Sequence, residues 1–336
     1  MEKIGIIGSG TWGTAISILL HNNGHEVTIW SAIPEEIDEM AATRKHKNLP
    51  EVTLPESLRL TKDLKEAMEG KDLLVMAVPS VFVRSTAKRM KPYLHDGQII
   101  VDVAKGIEES TLFTMSQIIE EELPTAQVAA LSGPSHAEEV SRGLPTTCVA
   151  GAHKKAVAEY IQSVFMSPVF RVYTCPDMLG IEIGAALKNV VALAAGIADG
   201  LGYGDNTKAA LITRGMAEIA RLGMAMGGKY QTFAGLSGIG DLIVTCASMH
   251  SRNRRAGILI GKGYSMEEAM KEVQMVVEGV YSAKAAMALA KKYEVPMPIV
   301  EQVNRVLFEG MPASEAVSEL MLRDKRIENS DLPWEE

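Results

Sequence analysis

"KIGIIGSGTWGTAISILL", residues 3–20, decides how the rest of the chain is read. The apolar run Ile4–Ile7 stops at Gly8, Gly10 and Gly13, and Thr14–Leu20 continues with the period of an amphipathic helix. Glycines between a buried strand and a helix let backbone N–H groups and the helix N-terminus face an anion, typically the pyrophosphate of a dinucleotide. Glycines also make plain turns. The apolar strand before them and the helix after them favour the nucleotide reading.

Downstream, short β-branched runs alternate with helical stretches: "EVTIW" (26–30), "DLLVMAVP" (72–79), "QIIVDVAKG" (98–106), "QVAALSGP" (127–134), "TTCVAGA" (146–152) and "VFRVY" (169–173). This alternation predicts an α/β, Rossmann-type N-terminal domain over 1–176 with a mostly parallel, doubly wound sheet. Continuous apolar runs indicate strands covered on both faces. Ligands of such sheets collect beyond the strand C-termini, so "VPS" (78–80), "AKG" (104–106) and "SGPS" (132–135) are expected to converge on one crevice. After Pro176 long alanine- and methionine-rich helical runs predict an all-α C-terminal, substrate-binding domain over 177–330. Its first helix, 177–200, is the expected join, and 331–336 reads as a solvated tail.

The chain has 336 residues, room for two domains of ordinary size. A net charge of -8 excludes a general nucleic-acid coat while leaving space for a focal basic pocket. The cysteines Cys148, Cys175 and Cys246 form no CxxC pair, which excludes a zinc ribbon or disulfide framework and suits a reducing cytoplasm. The histidines show no metal-ligand spacing, so no metal is expected. The broken N-terminal apolar run is wrong for a secretory signal, and "NVVALAAGIA" (189–198) is short for a membrane span.

Residues able to carry chemistry cluster in the second half. Gly180, Gly184, Lys188, Ala192 and Gly196 recur every four residues, a ridge of small side chains interrupted by one lysine. Such a ridge serves tight helix packing, or it lines the crevice with Lys188 projecting as an acid/base group. Lys105, near a strand end, is either a solvated loop residue or a second cation that lowers the pKa of Lys188. Asp241, in "GLSGIGDLIVTC", is a helix-start acid or the partner of a lysine or substrate hydroxyl. In "HSRNRR", Ser251, Arg252 and Asn253 offer a hydroxyl, a planar guanidinium and an amide, a set suited to phosphate, although charge runs are often only solvated faces.

Taken together, "GSGTWGTA", "VAKGIE", "SGPSHAEEV", "EIGAALKNVVALAAGIADGL", "GLSGIGDL", "SRNRRAG" and "VVEGV" occur in an order and spacing that closely resemble the bacterial NAD(P)-dependent glycerol-3-phosphate dehydrogenases. The resemblance covers nearly the whole chain. It implies that Lys188 is the acid/base residue, assisted by Lys105 and Asp241. It also implies that Ser251, Arg252 and Asn253 hold the substrate phosphate, with Gly133 and Ser135 in the same pocket. Thr11, Trp12, Lys105, Ala137, Arg252, Val276 and Glu278 match positions that contact the dinucleotide, beside Gly8, Gly10 and Gly13. A homodimer and a phospholipid-precursor product are further expectations of the family, as is a small phosphorylated substrate, with no nucleic acid and no membrane insertion.

One departure concerns the cofactor. Family members often carry a cation soon after the second strand, whereas this chain reads "IWSAIPEE", with neither cation nor acid at Ser31 or Ala32. NAD and NADP both stay open. Two other functions fit parts of the pattern: an NAD(P)-dependent dehydrogenase of another hydroxy acid or sugar acid, and a non-catalytic dinucleotide sensor.

Overall fold

The computed structural model describes residues 1–325, 327, 328 and 334; the expected tail at 331–336 lies, Trp334 apart, outside the described residues. Eight strands form one sheet: β1 (Lys3–Ile7), β2 (Glu26–Trp30), β3 (Arg59–Thr61), β4 (Leu73–Met76), β5 (Ile99–Asp102), β6 (Gln127–Ser132), β7 (Thr146–Ala152) and β8 (Phe170–Cys175). Their spatial order is β3-β2-β1-β4-β5-β6-β7-β8. Strands β1 to β6 are parallel, as the alternating pattern predicts, and the order reverses between β1 and β4. That switch point is where a doubly wound sheet opens a crevice for ligands.

Two features depart from the sequence reading. The three-residue β3 has no apolar run of its own and pairs through Thr28–Trp30 of β2. Strand β7 runs antiparallel to β6, and β8 follows β7, so these two point opposite to the other six. A short helix, Ala137–Val140, is too brief to carry the chain back to the sheet's starting edge, and the chain returns directly. Strand β8 alternates buried Phe170 and Val172 with exposed Arg171 and Tyr173, the pattern of an edge open on one face.

Beyond Cys175 the described chain is helical. The joining helix, Met178–Gly200, starts at Asp177, whose carboxylate accepts from Gly180 N at 2.9 Å. By length and composition this helix could cross a membrane, yet it is almost wholly buried inside the fold. Helices Asp205–Ala225, Asp241–Ala247, Arg252–Gly261 and Glu278–Lys292 wrap it into one core. Its small residues allow the closest contact: a Cβ on Gly196 would lie 2.2 Å from the Arg254 carbonyl oxygen, so only a bare backbone fits. Glu182 pins the helix to the first domain by accepting from Ser116 N and Oγ.

Candidate active site

The glycine loop after β1 fits a dinucleotide on its own geometry. Gly8 has φ +125°, and a Cβ there would sit 2.7 Å from the Ala77 carbonyl oxygen behind β4. Gly10 begins helix Thr11–Asn22 without a side-chain cap and has open space where a Cβ would stand. The first turn of that helix thus has no capping side chain and a bare glycine at its entrance, features suited to a pyrophosphate. Among the expected cofactor contacts, Thr11 and Trp12 are in the first turn of this helix, and Ala137 opens the helix after β6.

Lys105, three residues past the end of β5 at Asp102, reaches the tip of the β6 loop and the helical domain together. Its Nζ donates to the Gly133 carbonyl at 3.2 Å and to Asp241 Oδ2 at 2.6 Å. Ser135 Oγ donates to the same Gly133 carbonyl at 3.0 Å. Asp241 follows a wide helical turn, Leu236–Gly240, whose Ser237 carbonyl oxygen lies against Gly184 of the joining helix. That contact aims Asp241 at the lysine one turn further along the joining helix.

Lys188 Nζ lies 2.7 Å from Asp241 Oδ1 and donates to Thr245 Oγ1 at 2.6 Å. Thr245 Oγ1 in turn donates to the Asp241 carbonyl at 2.6 Å. One carboxylate thus sits between two ammonium groups, with Lys188 and Asp241 both buried. Burial lowers the Lys188 pKa, Asp241 pulls it partly back, Lys105 lowers it again, and the result is about 8. Burial by itself would raise the Asp241 carboxyl, but Lys105 and Lys188 outweigh it and keep it below the ordinary carboxylate range. A lysine near 8 can both give and take a proton close to neutral pH.

The small-residue ridge serves tight helix packing. Gly184 and Gly196 admit neighbouring backbones, and Lys188 between them meets the polar cluster.

The Ser251–Asn253 stretch opens helix Arg252–Gly261. Ser251 is its N-cap, accepting from Arg254 N at 3.2 Å. Asn253 Nδ2 donates to Asn189 Oδ1 at 2.9 Å, and its Oδ1 accepts from Gly279 N at 2.8 Å. Those bonds tie the stretch to the residue after Lys188. The Arg252 guanidinium has no hydrogen-bond or ion-pair partner among the described residues. Burial presses its pKa below the ordinary value, with Glu278 and Glu138 opposing. Arg252 is thus a cation of intermediate exposure at the start of a capped helix, a setting whose electrostatics suit an anion.

Glu278 joins the halves of the cleft, its carboxylate accepting from Ser80 N at 3.2 Å and Ser80 Oγ at 2.5 Å. Val276, half-buried, precedes it. Sequence reading did not single out Thr245 or Asn189. The signals available were Thr245 one helical turn after Asp241, and Asn189 immediately after Lys188.

A glycine loop at the switch point of a Rossmann-type sheet, facing a helical domain with a buried lysine near neutrality and a guanidinium with no ion-pair partner among the described residues, is the architecture of an NAD(P)-dependent oxidoreductase. Residues 3–158 match the family model described as NAD-dependent glycerol-3-phosphate dehydrogenase N-terminus, and 177–318 match the corresponding C-terminus. The chain belongs to this NAD-dependent glycerol-3-phosphate dehydrogenase family. It is 64% identical over 335 residues to the glycerol-3-phosphate dehydrogenase (NAD(P)+) of Agathobacter rectalis, covering 99% of this chain and 100% of that protein. The enzyme of the same name from Moorella thermoacetica is 54% identical, with 99% of each chain covered. Among solved structures, glycerol-3-phosphate dehydrogenase from Coxiella burnetii superposes with a TM-score of 0.93 at 37% identity, covering 96% of this chain and 99% of that one.

Proposed function

We propose that the chain reduces dihydroxyacetone phosphate to sn-glycerol 3-phosphate with NAD(P)H, reversibly, and so supplies the backbone for glycerophospholipids. The observation that carries the reading is the Lys188–Asp241–Lys105 cluster joined, through Asn189 and Asn253, to the unpartnered Arg252. In this division of labour residues 1–176 hold the dinucleotide and 177–330 hold the substrate.

When bound, the nicotinamide supplies the hydride for C2 of the ketone. Lys188 gives its proton to the C2 oxygen as negative charge develops there, and takes it back in the oxidation direction. Asp241 keeps that ammonium charged and aimed, while Lys105 adds a second positive charge facing the same oxygen. Arg252, with the Ser251 hydroxyl and the free Asn253 N–H, grips the phosphate, and this remote binding energy orients the carbonyl. Gly133 and Ser135 line the same pocket. Thr11, Trp12, Ala137, Val276 and Glu278 contact the dinucleotide. The same reading carries a cytoplasmic homodimer that works on small molecules, without nucleic acid or membrane insertion.

The test is oxidation of NADH, and separately NADPH, followed by absorbance with dihydroxyacetone phosphate, with pyruvate and unphosphorylated dihydroxyacetone as controls. Turnover is expected with the phosphorylated ketone alone, and Lys188→Ala should lower kcat by about 100-fold or more while still binding cofactor. Turnover on an unphosphorylated hydroxy acid would point to a different dehydrogenase. Cofactor binding without any turnover would point to a sensor.

A further inference from the structure

The acid missing from Ser31 and Ala32 arrives from further along the chain. Glu36, in the first turn of helix Pro34–Thr43, folds back over the end of β2. Its Oε2 accepts from Ser31 Oγ at 3.1 Å and from Ser9 Oγ, inside the glycine loop, at 2.8 Å. Ser31 is itself fixed, because its Oγ accepts from Ile33 N at 3.1 Å. Ser9 and Ser31 lie just past the paired ends of β1 and β2, Ile7 and Trp30. The carboxylate therefore bridges the tips of the two strands beneath which the adenosine half of a dinucleotide is received.

The charges around this carboxylate favour a diol. Burial raises the Glu36 pKa, but Ser9, Ser31 and Lys47 more than offset it, so the group is ionised at neutral pH. Lys47 Nζ lies 3.4 Å from Glu36 Oε1, so the nearest cation is already neutralised, and its own side chain is 60% exposed and well screened. His46 is buried, and that burial lowers its pKa, leaving the ring neutral near pH 7. Asn48 Nδ2 donates to Thr11 Oγ1 at 3.1 Å, which ties the 46–48 segment to the glycine-loop helix and holds these groups in place. A ribose diol can donate to the remaining lone pairs of the carboxylate. A 2′-phosphate has no proton to donate and brings like charge to the same position.

We propose that Glu36 is the specificity-determining residue for the dinucleotide: it accepts the adenosine ribose diol and disfavours a 2′-phosphate, so NAD(H) is preferred to NADP(H). The proposal rests on the cofactor placement given above. It is tested by calorimetric titration with ADP-ribose and 2′-phospho-ADP-ribose, which requires no turnover. The wild-type protein should bind ADP-ribose at least ~10-fold more tightly than its 2′-phosphorylated analogue, and Glu36→Gln should shrink that ratio at least ~5-fold, mainly by tightening the phosphorylated probe. Lys47→Ala should move the ratio the other way. Equal affinities in the wild type, or a ratio unchanged in a Glu36→Gln protein with wild-type circular dichroism, would overturn the proposal. Turnover measured alongside separates the two ideas: equal kcat/KM with NADH and NADPH defeats the role of Glu36 and leaves the reaction standing, whereas probe discrimination as expected without turnover defeats the reaction and leaves Glu36 standing.

Discussion

Asp241→Asn tests whether the carboxylate tunes Lys188 or only packs beside it. At the observed 2.7 Å separation, an effective dielectric constant near 20 gives roughly 6 kcal/mol of attraction before screening. Sharing that charge with Lys105 and relaxation of the site reduce the loss, and a fall of about two pH units in the Lys188 pKa is a conservative expectation. The folded wild-type value of about 8 would then become ~6. At pH 7.5 the protonated fraction of Lys188 drops from about three-quarters to about 3%, so kcat for ketone reduction should fall ~25-fold from protonation alone. The assay is the pH profile of kcat, with dinucleotide binding as the control for folding. Activity should recover as pH is lowered toward 5.5, because the lost proton is regained. A variant whose alkaline limb stays near pH 8, or whose activity does not recover in acid, would refute the tuning argument.

Three further outcomes follow from the same geometry. Arg252→Ala should raise the KM for dihydroxyacetone phosphate by about 100-fold, the worth of a charge-assisted bidentate contact, with little change in melting temperature because the guanidinium has no hydrogen-bond or ion-pair partner among the described residues; an unchanged KM would remove the phosphate role. Gly196→Ala should cost about 1–3 kcal/mol, read as a drop in melting temperature, because the new methyl meets the Arg254 carbonyl; a wild-type melting temperature would contradict the close approach. Glu218, on helix Asp205–Ala225 and buried against the start of helix Pro298–Phe308, is pushed up to about 7 by burial despite accepting from Ile299 N and Val300 N. Its raised folded pKa means the folded state holds a proton that the unfolded state has lost, so its stability contribution is full below the unfolded value and is lost as pH rises through 7. Relative to Glu218→Gln, the wild type should lose up to ~3 kcal/mol between pH 4.5 and 7, and parallel stability curves for the two proteins would contradict this.

Much of the fold class was legible because local pattern encodes it. Gly8, Gly10 and Gly13 stand between an apolar run and a helical period, and each later run announces a strand before its helix. The reversal at β7 was not legible, since "TTCVAGA" is equally apolar in either direction; what decides it is the shortness of helix Ala137–Val140. Lys188 and Asp241 could be picked out as candidates by their settings among small residues and glycines. Their separation of 2.7 Å could not, because it depends on two helices meeting at Gly184.

By itself the sequence determined the glycine loop, the strand and helix alternation, the ridge on the joining helix and the family motifs in their order. These are matters of periodicity and residue type over short stretches, where chain geometry leaves few alternatives. Only the tertiary structure decided that Glu36 reaches back to Ser9 and Ser31, that Thr245 joins the lysine cluster, that Asn189 bonds Asn253, and that Arg252 has no hydrogen-bond or ion-pair partner among the described residues. Each of those depends on side chains from separate elements converging, and convergence is set by strand register and helix packing across the whole fold, which no local spacing records.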